Sequence, residues 1–519
     1  TAASGLNEAA GLNDLQTARY LAAVFGAYPM ALLFSSIPGR HAWLKHIVGS
    51  VLGIYLAQWV YGVQWIHSFL SSLVVYILVV AGSATPGIKH VVPWLVFAWS
   101  MLYMTGGHLY RQFVDNGGSA ADWTGPQMVL TIKLIEFGWN YYDGMVARPK
   151  LQAAVDAGKV KDAPVSVRRK AAFAKSQLAP ALEGTPNPIE FFSYIFNFTA
   201  YFVGPAFEMK YFLQAMDGSA YGPGRDSPPT SRLLNGASKL ALALVYMAGY
   251  LVALPHVHLS LSSTPEAMAD SSWYGILTNR LPMLWAGCVF GSQFKYYFIW
   301  KLSEGSAVWA GMGYGSKVDP ASGKAVDTWH GVKQVSVTGF QFASSFGPAT
   351  RAWNMRTQHW LEHYVYKRIP RVANINLFSV YFASAFWHGF YPGYYLTFMS
   401  APLFAVLEKQ LITIVNPLLY ADAKGVPSKK AVQPRKGREV FAYAYTALCV
   451  LVTNITLDYT ALPFELVRWD LSIAMWGSLH YALHVAALGL TVLAFGLPAL
   501  GLWPKVSRGQ LKPETKKTQ

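Results

Sequence analysis

FASAFWHGFYPGYYLTF, residues 382–398, is crowded with aromatic side chains and carries one group that titrates near neutral pH, His388. Helix breakers begin at the next residue: Gly389, then Pro392 and Gly393. Proline removes a backbone N–H and disturbs the preceding helical turn. A lone histidine in so apolar a run is costly if the run lies in a membrane, and such a residue faces a cavity or the protein interior. Broken helix at membrane depth persists only where it is buried in protein or lines a water-filled space. The reading of this stretch therefore turns on whether the chain is a membrane protein.

Composition says that it is. Of 519 residues, 53% are hydrophobic and only 13% charged, against about 25% charged in a soluble domain. Mean hydropathy is +0.26. A membrane span needs roughly 17–25 mostly apolar residues. Candidate spans fall at 17–37, 45–63, 66–82, 91–109, 127–147, 236–255, 281–301, 376–399, 401–416, 439–458 and 474–498. The span at 127–147 contains Lys133 and Glu136, so it faces protein rather than lipid. Residues 190–213, interrupted by Gly204, Pro205 and Glu208, read as a re-entrant or in-plane segment. The expected fold is an all-α polytopic membrane protein. About 11 transmembrane helices, with re-entrant and interfacial helices, surround an intramembrane reaction chamber. Residues 1–519 form one embedded domain, with a short lumenal N-terminal segment and a basic tail from about 503 to 519.

Net charge is +16. With this span count, lysines and arginines gather on one side: the 148–175 loop, Arg351 to Arg371, Lys424 to Arg438, and the tail. The positive-inside rule makes that side cytosolic and places the N-terminus in the lumen. The tail ends KKTQ, a pattern that resembles the dilysine retrieval signal of endoplasmic-reticulum proteins. The N-terminal residues have no basic region of the kind that opens a secretory signal. The two cysteines, Cys288 and Cys449, lie in apolar runs and read as small core residues, not as a disulfide framework or zinc site. No phosphate-binding loop or nucleic-acid module is visible.

Two further segments offer chemistry. Residues 350–369 are predicted to form one amphipathic interfacial helix. Arg351, Arg356, Glu362, Lys367 and Arg368 would be wet, and Trp353, Trp360, Leu361 and Tyr364 dry. Asn354 then points inward as an uncharged amide suited to a carbonyl or oxyanion, or else is a polar surface residue. His359, Glu362 and His363 match the inverted zinc-peptidase pattern HxxEH, but no third ligand is evident. His480 and His484 are also four apart, again without a third ligand, and read as packing or pore-lining residues. By itself His388 suits a general base, an intramembrane proton site of a transporter, or a core histidine bonded to a backbone carbonyl.

A resemblance separates these readings. Trp387-His388-Gly389, Gly393-Tyr394 and Phe398 resemble the WHGxxxGYxxxF motif of the membrane-bound O-acyltransferases, lysophospholipid branch. Trp353-Asn354 resembles that family's upstream motif, whose second residue is Asn or Asp. The block FFSYIFNFTAYFVGPAFEMKYF looks similar to another family segment. The resemblance implies acyl transfer from acyl-CoA to the free hydroxyl of a lysophospholipid, commonly at sn-2, in the endoplasmic-reticulum membrane. It implies His388 and Asn354 as the catalytic pair. Trp353, Trp387, Gly389, Gly393, Tyr394 and Phe398 are then substrate-binding candidates. Acyl-CoA is a co-substrate, and no cofactor or metal is expected. A family member acting on a sterol, diacylglycerol or protein serine, and a proton-coupled transporter, are the alternatives.

Overall fold

The first helices follow the apolar runs closely: α1 (Leu15–Ser35), α2 (Ala42–Tyr61), α3 (Trp65–Ala84), α4 (Val92–Phe113) and α5 (Thr124–Met145). The computed structural model describes residues 15–499, apart from 116–121, 161, 258, 321, 370–374, 423, 424, 426, 427, 429 and 431. The N-terminal segment, the tail with its KKTQ end, and Lys161, Arg371, Lys424 and Lys429 thus lie outside the described residues. The basic loop after α5 is a helical hairpin, α6 (Arg148–Lys159) and α7 (Val165–Leu178). Among the described residues the only strands are two short antiparallel pairs, Gly315–Val318 with Ala325–Thr328 and Tyr420–Ala421 with Gln433–Pro434.

Residues 190–213 are not one helix. A capping box between Asn187 and Glu190 starts α8 (Pro188–Ile195). An irregular link then leads to α9 (Met209–Asp217). Phe191, Tyr194, Phe196, Met209 and Phe212 of this segment are fully buried. Irregular backbone is acceptable there because protein surrounds it.

Two helices follow, α10 (Ser231–Val257) and α11 (Phe294–Trp309), the latter entered through a π-helical turn at Gly287–Gln293. α10 buries only Gly236, Ala243 and Leu254 and turns residues such as Leu234, Val245 and Val252 outward. An apolar outer face of this kind fits lipid as its solvent. Its seam with α11 depends on small residues: a Cβ on Gly236 would stand 2.0 Å from the Trp309 ring. Close approach through glycine is a common packing device between membrane helices. The remaining elements used below are α12 (Phe346–Ala352), α13 (Met355–Trp360), α14 (Ile375–His388), α15 (Pro392–Leu419), α16 (Glu439–Leu466), α17 (Trp469–Ser478) and α18 (Ala482–Ala499).

Length and apolarity qualify five helical segments of the described residues as membrane spans, or six if a bent pair is counted. That pair is α17 and α18, bent by 71° where a single span was expected at 474–498. Leu479, His480 and Tyr481 interrupt it, and His480 and Tyr481 have positive φ. His480 and His484 therefore do not share a helix. The expected spans 376–399 and 401–416 are also divided differently. The chain breaks between His388 and Pro392, then runs unbroken to Leu419 through Pro402 and Pro417. Composition sees the apolar run but not the break.

α5 is buried along nearly its whole length, including Lys133, Glu136, Asn140 and Asp143. As expected, it faces protein. Asp143 accepts two bonds from Arg368, at 3.0 and 2.5 Å. The same guanidinium lies 4.2 Å from the Trp139 ring centroid. Removing one partner of a buried pair leaves the other charge unpaired, which costs about 3–5 kcal/mol. Asp143→Ala is expected to lower the unfolding temperature of the detergent-solubilised protein by several degrees. An unchanged melting curve would show that the pair contributes nothing.

Candidate active site

α14 ends at His388 because the chain turns sharply at Gly389, whose φ is +120°. Side chains rarely adopt that conformation, and glycine does so freely. Three residues later Pro392 opens α15, where its missing N–H costs nothing. The histidine thus sits at a true helix end, as the flanking breakers predicted.

The imidazole is enclosed by rings. Phe398 stacks on it at 4.9 Å, and Trp387 and Phe464 meet it edge-on at 4.7 and 5.1 Å. Tyr394 lies at 5.8 Å. Nδ1 is 2.7 Å from the carbonyl oxygen of Ser384, one turn back on the same helix. A carbonyl can only accept, so Nδ1 is the protonated nitrogen and Nε2 presents its lone pair. Among the described residues nothing hydrogen-bonds to Nε2. This tautomer and orientation are those a general base requires.

Asn354 is placed by a different device. The single helix expected at 350–369 is broken at Trp353–Asn354 into α12 and α13. Asn354 has φ 37° and ψ 58°, the left-handed region that asparagine tolerates better than most residues. Its carbonyl starts α13, but its side chain does not cap that helix. Among the described residues the amide has no hydrogen-bond partner, which leaves it available to a ligand. Trp353 fills a box of Tyr296, Tyr297, Trp300 and Phe340, with ring centroids 4.8–5.8 Å away. The backbone on either side is fastened to residues 334–336: Met355 N–H donates to Gln334 O at 2.6 Å and Ser336 N–H to Ala352 O at 2.9 Å. Buried Glu304 of α11 in turn accepts from the N–H groups of Gln334 and Val335 at 2.6 and 3.1 Å. No local motif announced Glu304.

Two residues of the expected wet face, Arg356 and Arg368, are interior. Arg356 donates to the Ala206 carbonyl at 2.5 Å and to Glu208 at 2.8 Å. His359 reaches the other oxygen of Glu208 at 2.8 Å. Arg368 is buried against Asp143, while Arg351 stays exposed as expected. Periodicity reports angle alone, and at Arg356 and Arg368 the side expected to be wet meets protein. The His359 and His363 rings stack at 4.2 Å, but among the described residues the three HxxEH side chains do not gather their donor atoms around one point. Glu362 pairs with Lys367, and His363 Nδ1 donates to the carbonyl of His359. The donor atoms that do gather, within 4.8 Å of one another, belong to Glu136, Glu208 and His359. Both oxygens of Glu136 are buried without a partner, while Arg356 and His359 occupy those of Glu208.

The two candidates lie on neighbouring elements. Trp360, at the end of α13, meets Trp387 with ring centroids 6.0 Å apart. No hydrogen bond joins the side chains of Asn354 and His388. The other motif residues are also placed around the break. The Trp387 indole N–H donates to the Met128 carbonyl of α5 at 3.0 Å. Gly393 lets α15 touch the end of α16: a Cβ there would stand 2.0 Å from the Pro463 carbonyl oxygen. Its N–H donates to Val467 O at 3.0 Å.

The sequence profile of the membrane-bound O-acyltransferase family matches residues 110–428, so the chain belongs to that family. It is an acyltransferase with several apolar helices, a multi-pass membrane enzyme. Its relatives narrow the comparison. It is 26% identical to Lysophospholipid acyltransferase 1 of Arabidopsis thaliana, over 94% of this chain and 95% of that one. It is 25% identical to the lysophospholipid acyltransferase of Schizosaccharomyces pombe, covering 91% and 84%. With Lysophospholipid acyltransferase 5 of Rattus norvegicus the identity is also 25%, covering 92% and 88%.

Gly393→Ala is expected to push α15 off the end of α16, because the obstacle is backbone and cannot rotate away. Acyl transfer and thermal stability should fall together. Full activity in this variant would mean that the contact is not needed.

Proposed function

We propose that this chain transfers a fatty acyl group from acyl-CoA to the free hydroxyl of a lysophospholipid, with lysophosphatidylcholine and related lysolipids acylated at sn-2. The observation that carries the reading is the state of His388. Its Nδ1 is committed to Ser384 O, its Nε2 is open, and aromatic rings surround it. Near full-length similarity to lysophospholipid acyltransferases of a plant, a yeast and a mammal supports the acceptor class.

In the proposed step, His388 Nε2 takes the proton of the acceptor hydroxyl as its oxygen attacks the thioester carbonyl carbon. The Asn354 amide donates to the oxygen on which negative charge develops. The C–S bond breaks, and the departing thiolate takes the proton from the imidazolium and leaves as coenzyme A. The product is an ester, and no acyl-enzyme is required. Trp353, Trp387, Gly389, Gly393, Tyr394 and Phe398 shape the chamber that holds the substrates. Neither a cofactor nor a metal enters this scheme. A chamber closed to water also protects the thioester from hydrolysis. The working topology is eleven crossings in the endoplasmic-reticulum membrane, with the N-terminus lumenal and the basic loops and C-terminus cytosolic, where they attract the phosphates of acyl-CoA.

His388→Ala should reduce turnover by about 10²–10⁴, the usual contribution of a general base, with the protein still folded by size-exclusion profile. Release of coenzyme A at the wild-type rate would remove His388 from the chemistry. Asn354→Ala should lower kcat more than it raises either KM, because the amide is proposed to act on charge absent from the ground state. Unchanged kinetics would make Asn354 a purely structural residue. A transporter would instead carry substrate across liposomes without releasing coenzyme A.

A further inference from the structure

His108 stands outside every motif that identified the site, yet it meets the peptide before His388 and lies over the glycine after it. It lies on α4, and its Nε2 is 3.2 Å from the carbonyl oxygen of Trp387, the residue immediately before His388. Its Cγ and Nδ1 would each be 3.4 Å from a Cβ built on Gly389, the residue immediately after. The ring therefore covers the glycine that turns the chain.

The contact answers a specific need. The last carbonyls of a helix have no partner within it, and a buried carbonyl without one is costly. In an unbroken helix the Trp387 carbonyl would accept from the N–H four residues on. The chain has turned away at Gly389 by then, with Pro392 next to that position. Gly389 N–H goes back to Ala385 O and Phe386 O, at 3.2 and 3.3 Å, and so does nothing for Trp387. His108 supplies the missing donor from another helix. The carbonyl can only accept, so the proton is on Nε2 of His108.

The Trp387 side chain is held independently, by its bond to the Met128 carbonyl on α5. One residue is thus pinned at its indole by α5 and at its carbonyl by α4, and the next residue is the proposed base. Resting on the function proposed above, we infer that His108 is a positioning residue. By donating to the Trp387 carbonyl, it fixes the end of α14 so that Nε2 of His388 points at the acceptor hydroxyl. It touches neither substrate nor the reacting atoms. Its effect is on the probability that the base is aligned, and a misplacement of about 1 Å can cost 10²-fold in rate.

The test uses full-length protein in detergent or nanodiscs, with acyl-CoA and lysophosphatidylcholine. His108→Leu keeps the bulk and loses the donor, and His108→Gln restores an N–H donor. His108→Leu should lower kcat by about ten-fold or more, with both KM values within about two-fold of wild type. His108→Gln should recover most of that loss. Wild-type kcat in the Leu variant, or a Gln variant no better than Leu, would overturn the inference. So would a loss that appears in both variants with a matching fall in melting temperature, since that is a packing role. Failure of the wild-type protein to form any phospholipid would instead refute the proposed function, which makes the two failures distinguishable.

Discussion

A helix that ends inside a membrane protein must find partners for its last carbonyls, and water is not there to supply them. At His388 this constraint organises the site. The break exists because Gly389 takes a φ of +120° and Pro392 restarts the helix. Once the break exists, the freed groups attach to whatever lies nearby, and each attachment fixes part of the chemistry. Within α14 itself, the Ser384 carbonyl accepts from Nδ1–H of His388 and so sets the tautomer. The Trp387 carbonyl takes a bond from His108, and the Gly393 N–H ties α15 to the end of α16. The geometry around His388 is in this sense a consequence of satisfying backbone at an interrupted helix.

Buried charges do the corresponding work for Asn354. A dipole can stabilise a developing oxyanion only if it is held in place beforehand, and Asn354 sits at a junction between two short helices. Glu304 holds residues 334 and 335, which hold the backbone beside Asn354. Glu208 grips α13 through Arg356 and His359, and Asp143 grips the segment beyond it through Arg368. These partners come from α5, from α11 and from the irregular link after α8. Pairs of this kind add little net stability over well-packed apolar residues, but they penalise displacement heavily. They suit a site whose parts come from distant stretches of chain.

Much of this was legible residue by residue. The apolar runs gave the early helices, and Lys133 with Glu136 correctly marked α5 as interior. The breakers after His388 correctly placed a helix end there. The errors share a cause. Residues 350–369 have the angular pattern of one surface helix, and periodicity reports angle without reporting what lies on each side. Arg356 and Arg368 were read as wet because their acidic partners, Glu208 and Asp143, are remote in sequence. The bend at Leu479–Tyr481 escaped notice because hydropathy does not register backbone dihedrals.

By itself the sequence determined that this is a polytopic membrane protein, where the helix carrying His388 breaks, and that a histidine stands at the break. Composition, proline and glycine act locally, so they can be read locally. Only the tertiary structure decided which nitrogen of His388 is free, that Asn354 starts a helix instead of riding on one, and that His108 meets the Trp387 carbonyl while Glu304 meets the N–H groups of residues 334 and 335. Those outcomes depend on hydrogen bonds and ion pairs between segments far apart in the chain. No local pattern encodes such partners, because each side chain is ordinary until the fold brings its counterpart within about 3 Å.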